Sequence, residues 1–293
     1  MELVSEALGF EFFRRGLLAA TLTGALCGLV GVYVVLRRMS YIGHGLSHAV
    51  FGGAVVSHVI EWNFYLGAGL WGSLSALLIQ ATARRRGIGA DAAIGIITTA
   101  SFALGVAIIS KTRSFSQNFE AALFGNILAV TPRDLLVIGG VAVVVGAAVV
   151  LGYKQLMFAT FDPELARIHA VPVRAVETGF ALALAATIVA CMNVVGVTLI
   201  AATIVMPPMT ARLLTDSFGR MVVLATVLGG VAGFTGMFLS YALDIASGPA
   251  IVLFSALVFG LVYAGTGVRR WRRVEASGKA ATADRVYGEF GGG

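Results

Sequence analysis

GLLAATLTGALCGLVGVYVVL, residues 16–36, contains no Asp, Glu, Lys, Arg or His, and Arg37-Arg38 follow it directly. The stretch reaches the ~20 apolar residues that a helix needs to cross a bilayer. Paired arginines at one end are what the positive-inside rule places in the cytoplasm. Comparable apolar runs lie near 64–82, 92–110, 133–152, 220–242 and 249–265. Only 12% of the 293 residues are charged, about half the share in an average soluble domain. Mean hydropathy is +0.91. Gly24 and Gly28, and again Gly229, Gly230 and Gly233, offer the small surfaces on which membrane helices approach closely. The composition predicts an all-α, polytopic transmembrane helical bundle of about 8–9 spans.

The net charge of +6 does not point to nucleic acid, because the arginines sit at the ends of apolar runs. Placing Arg37-Arg38, Arg84-Arg85-Arg86, Arg167 with Arg174, and Arg212 with Arg220 in the cytoplasm orients the chain with its N-terminus outside. Nine spans result: 16–36, 42–60, 64–82, 92–110, 133–152, 176–191, 195–210, 220–242 and 249–265. Eight remain possible if the sixth and seventh are shorter. The polar loop Lys111 to Glu120 and the short segment Phe119–Val130 are expected at the outer face. Met206-Pro207-Pro208 is expected to kink or unwind the seventh span. Residues 1–266 form one membrane domain, and 267–293, with Arg269-Arg270-Trp271-Arg272-Arg273, a basic cytoplasmic tail, disordered at its end. Residues 1–15 carry Glu2, Glu6 and Glu11 and lack the apolar core of a cleavable signal. Cys27 and Cys191 lie in apolar runs and read as small packing residues.

Within the second span, Tyr41-Ile42-Gly43-His44-Gly45-Leu46-Ser47-His48-Ala49-Val50 holds two of the chain's four histidines. At i and i+4 they share one helix face. Two neutral imidazoles there can bind one transition-metal ion, and polar groups at membrane depth mark a substrate or ion path by default. Helix–helix hydrogen bonding is the structural alternative. Gly43, Gly45, Gly52 and Gly53 keep this helix thin, and Ser47 is a candidate supporting oxygen. His58 and Glu61, spaced i, i+3 near the outer end, are a weak candidate for cation collection at the mouth, or simply interfacial. Met206, Met209 and Asn193 are candidate path residues or packing, and Asp244 a helix terminator.

Asp162-Pro163-Glu164 is a helix start: Asp as N-cap, Pro at the first helical position, an acid in the first turn. Pro172 limits this helix to about His169. A short helix in an arginine-flanked cytoplasmic loop suits docking on a soluble partner. There is no Gly-x-x-x-x-Gly-Lys-Ser/Thr phosphate loop and no His-Glu-x-x-His motif. An uphill transporter of this kind needs an ion gradient or a separate energising subunit, and the span interiors are nearly free of Asp and Glu.

Taken in order, several segments resemble the permeases of zinc/manganese/iron ABC importers, the metal ABC-3 class. They are Val34-Val35-Leu36-Arg37-Arg38-Met39-Ser40-Tyr41-Ile42-Gly43, Leu46-Ser47-His48-Ala49-Val50, Phe161-Asp162-Pro163-Glu164-Leu165-Ala166-Arg167 and Val171-Pro172-Val173. Val194-Val195-Gly196-Val197, Pro207-Pro208-Met209-Thr210-Ala211-Arg212-Leu213-Leu214 and Leu239-Ser240-Tyr241-Ala242-Leu243-Asp244-Ile245-Ala246-Ser247-Gly248-Pro249 complete the set. The resemblance spans about Phe12 to Tyr263. It implies a multi-pass permease of the prokaryotic plasma membrane, not an enzyme, that moves Zn, Mn or Fe through a central path. The implied partners are an ABC ATPase, an extracytoplasmic metal-binding protein, a second permease copy or paralogue, and membrane lipid.

No tightly bound cofactor is implied, only the transported ion. His48 matches the histidine of the class motif Gly-Asp-Ala-Leu-Ser-His, and His44 occupies its Asp position. Imidazole for carboxylate removes charge and favours borderline metals such as Zn or Fe over Mn. Residues 161–172, with Asp162, Pro163, Glu164, Leu165 and Arg167, correspond to the coupling helix that docks on the ATPase. A permease for a metal chelate (siderophore or haem) is the alternative within transporters, and a membrane metalloenzyme the alternative outside them.

Overall fold

The computed structural model describes residues 7–85, 87–112, 125, 127 and 130–267. The basic tail, the loop 113–124 and most of the segment 119–130 lie outside the described residues. Among those described, seven helices are long and apolar enough to cross a membrane. They are α1 (Glu11–Leu36), α3 (Phe64–Ala83), α4 (Ala90–Thr112), α5 (Pro132–Leu151), α8 (Val173–Val195), α10 (Phe218–Leu243) and α11 (Ser247–Gly267). The histidine-bearing α2 (Ser40–Val59) and the shorter α9 (Ile200–Leu214) occupy the second and seventh expected positions. Between α5 and α8 come two short helices, α6 (Tyr153–Phe161) and α7 (Pro163–Ile168).

Helix α1 is the spine, with 72% of its apolar window buried. Its main partner is α10, and glycine sets the distance between them. A Cβ on Gly24 would stand 2.1 Å from the Gly229 carbonyl oxygen, one on Gly28 2.2 Å from that of Ala225, and one on Gly233 2.1 Å from that of Ala20. Backbones meet here with nothing between. Helices α4, α5 and α11 bury only 22%, 17% and 17% of their windows. Side chains such as Leu136, Val144, Leu253 and Leu257 therefore point outward to lipid or a partner.

Helix α2 is wedged between α3 and α4. A Cβ on Gly52 would meet the Ser101 carbonyl at 2.4 Å, and one on Gly53 the Trp71 Cβ at 2.3 Å. Gly45 faces Ile94 and Thr98 equally closely. Three of the four glycines thus admit neighbouring helices, whereas Gly43 has only ordinary contact with α9.

Pro207 and Pro208 do not unwind α9, which stays helical from Ile200 to Leu214. Neither proline can donate to the carbonyl four residues back, so those of Thr203 and Ile204 lose their helical partners. The Ile204 carbonyl instead lies against α1, 1.9 Å from where a Cβ on Gly31 would stand. The turn after the sixth span, expected just past residue 191, comes later, because α8 runs on to Val195. Asp244 terminates α10 as expected, in the left-handed region at φ 51°.

Candidate functional site

Helix periodicity brings His44 and His48 together: their ring centroids are 4.6 Å apart at 82°. Phe102 of α4 stands edge-on to His48 at 4.9 Å, and Tyr41 lies 5.9 Å from His44. Both histidines are half-buried. His48 Nδ1 is shielded from solvent and has no hydrogen-bond partner. A buried imidazole nitrogen left unpaired costs free energy and is chemically a ligand. Ser47 lies between the two, but its hydroxyl donates to the His44 carbonyl at 2.8 Å. It therefore fixes the helix backbone and not an imidazole.

Among the described residues, no three His, Cys, Asp or Glu side chains gather closely enough to hold a metal. One chain offers two imidazoles.

His58 and Glu61 are both exposed at the other end of α2. Glu61 adopts φ 55° and donates its N–H to the His58 carbonyl at 3.2 Å, while Trp62 N–H reaches Ser57. These bonds form a Schellman turn ending the helix. Asn63 then caps α3 by accepting from Tyr65 and Leu66 N–H. Asn193 donates to the Tyr65 hydroxyl at 3.1 Å, and that hydroxyl donates to Asp134. Asp134 also closes a capping box with Thr131 at the start of α5. This network joins the outer ends of α3, α5 and α8. Met206 and Met209 are half-buried in α9.

At the opposite face, Asp162 Oδ1 accepts the Leu165 N–H at 2.8 Å, with Pro163 at the first helical position. His169 follows α7, exposed, stacked on Phe158, with Nδ1 3.0 Å from the Leu165 carbonyl. Glu164 and Arg167 are exposed, and Phe161, Leu165 and Ile168 expose 58%, 38% and 79% of their surface. Apolar side chains exposed together at a short helix suit contact with another protein.

Sequence reasoning did not single out Arg37 beyond its charge. Its Nε–H donates to Thr160 Oγ1 at 3.2 Å, and its guanidinium stacks 4.9 Å from the Phe180 ring centroid. Burial pulls its pKa below the ordinary arginine value, and Glu177 and Tyr33 act in the other direction.

A buried spine helix, a thin histidine helix wedged between two others and a short exposed helix at the opposite face belong to one multi-pass membrane bundle. The chain belongs to the ABC 3 transport family, whose model matches residues 9–265. It is 35% identical over 283 residues to the manganese transport system membrane protein MntC of Halalkalibacterium halodurans, covering 95% of this chain and 97% of that one. It is 34% identical to the chelated iron transport system membrane protein YfeD of Yersinia pestis, covering 89% and 88%. In the solved structure of PsaBC from Streptococcus pneumoniae in complex with Fab, one chain matches with TM-score 0.82 and 33% identity, covering 89% and 94%. The protein is a transporter permease of the bacterial plasma membrane and not an enzyme; ATP is hydrolysed on a separate subunit.

Proposed function

We propose that this permease imports divalent transition-metal ions, Mn, Fe or Zn, and that His44 and His48 form its transient path site. The observation that carries the reading is the imidazole pair, 4.6 Å apart on one face of a span, with His48 Nδ1 buried and unpaired. Two imidazoles are fewer ligands than a resident metal site uses, which suits a site that must release what it binds. A second permease copy, of this chain or a paralogue, supplies the remaining ligands where the two paths meet. Walls of Phe102, Tyr41 and close-packed helices suit a bare ion better than a bulky chelate. His58 and Glu61 mark the outer mouth, where an extracytoplasmic metal-binding protein delivers the ion. Asp162, Pro163, Glu164, Leu165 and Arg167 present the coupling helix to the ATPase, whose cycle alternates outward and inward access.

The test is uptake of Mn, Fe and Zn, singly and in competition, by cells carrying the transporter with wild-type permease or His48→Ala. Loss of uptake with the ATPase still co-purifying supports the site. Uptake retained by the variant overturns it.

A further inference from the structure

We infer that Arg37 is the positioning residue through which movement of the coupling helix reaches the histidine helix; the inference rests on the importer reading above. Arg37 caps the buried spine α1, and one tight turn separates it from α2. Arg38, at φ 57°, donates to the Val35 carbonyl and Met39 N–H to that of Val34. The turn is therefore a closed Schellman motif with an arginine where glycine is usual. α2 begins at Ser40, and His44 follows one helical turn later.

On its other side, Arg37 is joined to both ends of the coupling segment. Thr160, which accepts its Nε–H, lies two residues before the cap Asp162. Phe180, beneath the guanidinium, belongs to α8, the helix that follows the segment. A shift of α7 toward or away from the membrane must therefore displace Thr160 and Phe180 against Arg37. That displacement is delivered to a turn rigid enough to pass it on to α2.

Two further observations at this joint support a second position for it. Arg37 Nη2 is buried and has no hydrogen-bond partner, a costly condition for a cation in the interior. Arg37 also borders a cavity of about 360 Å³ whose lining includes Ile42 of α2, Pro163 of α7, and Glu177. Glu177 is engaged by Arg84 at 3.1 Å. In the alternate access state Arg37 Nη2 takes Glu177 as its partner, and the cavity is the space into which the ends of α2 and α7 move. Arginine suits the task because its planar fork holds several partners at once in fixed directions.

The experiment uses the full transporter, permease with its ATPase and metal-binding protein, in proteoliposomes, reading Mn, Fe and Zn uptake and ATP hydrolysis together. Arg37→Gln is expected to leave assembly and hydrolysis within about twofold of wild type while uptake falls at least about tenfold, the scale of losing a charged hydrogen bond. The ATP consumed per ion rises accordingly. Arg37→Lys recovers part of the uptake. Thr160→Val, which keeps the side-chain volume, and Glu177→Gln each raise the ATP-to-ion ratio by a smaller factor. An unchanged ratio in Arg37→Gln overturns the inference, whether uptake is normal or falls in step with hydrolysis. Should Arg37→Gln fail to assemble, Thr160→Val decides, and an unchanged ratio there is equally fatal. Wild-type vesicles that take up none of the three metals sink the importer reading and this inference with it, whereas coupling lost only in the variants bears on Arg37 alone.

Discussion

His48 and His44 are not equivalent, although they face each other on one helix. His48 is held against Phe102 of α4, and its Nδ1 has no hydrogen-bond partner among the described residues. His44 is one turn nearer the Arg37-Arg38 end, with Tyr41 and His48 beside its ring. The resemblance to metal ABC-3 permeases sets His44 at the Asp position of the motif Gly-Asp-Ala-Leu-Ser-His, so under the proposed path it is the residue expected to set metal preference. Restoring an anionic oxygen ligand favours harder ions, because imidazole suits Zn and Fe and carboxylate suits Mn. His44→Asp is therefore expected to raise Mn uptake relative to Zn on the order of tenfold, the scale on which ligand-shell changes alter metal affinity. Competition between the two ions in cells measures it. A Mn-to-Zn ratio equal to wild type would show that this position does not select the metal.

The α1–α10 contact gives the sharpest test of what holds the helices together. Gly24→Ala places a methyl group 2.1 Å from the Gly229 backbone oxygen, and no rotamer change can relieve it. Overpacking of this sort costs about 1–3 kcal/mol, read as a lowered unfolding temperature in detergent. Gly140→Ala, in α5 with nothing within 4 Å of its Cβ, should instead gain about 0.5–1 kcal/mol from helix propensity. Equal effects at both positions would remove glycine packing from the account. Asp162→Ala should cost the coupling helix about 0.5–2 kcal/mol of capping and weaken co-purification of the ATPase; full retention would deny α7 that role.

The elements that could be read from the sequence are those whose signals are local. The apolar runs, the Asp162-Pro163 start and the i, i+4 histidines depend only on neighbours in the chain, and each stands within a few residues of expectation. The helix ends before Arg38, Glu61 and Ala170 fall within a residue or two of expectation, but the left-handed turns that close them could not be read, because the residue adopting each is not the glycine or asparagine that signals one. Asp244, expected as a terminator, was legible from its place before Ser247-Gly248-Pro249. Helix α6 was hidden by following α5 after a single glycine. Arg37 with Thr160 and Phe180, and Tyr65 with Asp134 and Asn193, are contacts between distant segments, which no spacing rule reaches.

At the scale of the whole molecule, nine crossings, the seven long apolar helices with α2 and α9, make an odd number. The two ends of the described chain must then lie on opposite sides of the bilayer. Arg37-Arg38, Arg84-Arg85, Arg167 and Arg212 all fall on one face under that count, and the positive-inside rule makes it the cytoplasmic one. The Tyr65–Asp134–Asn193 network and the His58–Trp62 turn fall on the other. The native cysteines make this directly testable, since Cys27 and Cys191 are both 0% exposed and give no background to a membrane-impermeant maleimide. Trp62 is 51% exposed, and Asp216 and Asp244 are exposed as well. In intact cells producing the permease without its ATPase, Trp62→Cys and Asp244→Cys should label readily. Asp216→Cys should label only after permeabilisation. The reverse pattern would invert the molecule, and labelling of all three from outside would break the nine-crossing path between α9 and α10. The reversed pattern would move the Arg37 joint and the coupling helix away from the compartment that holds ATP, so the topology must hold before any account of coupling can.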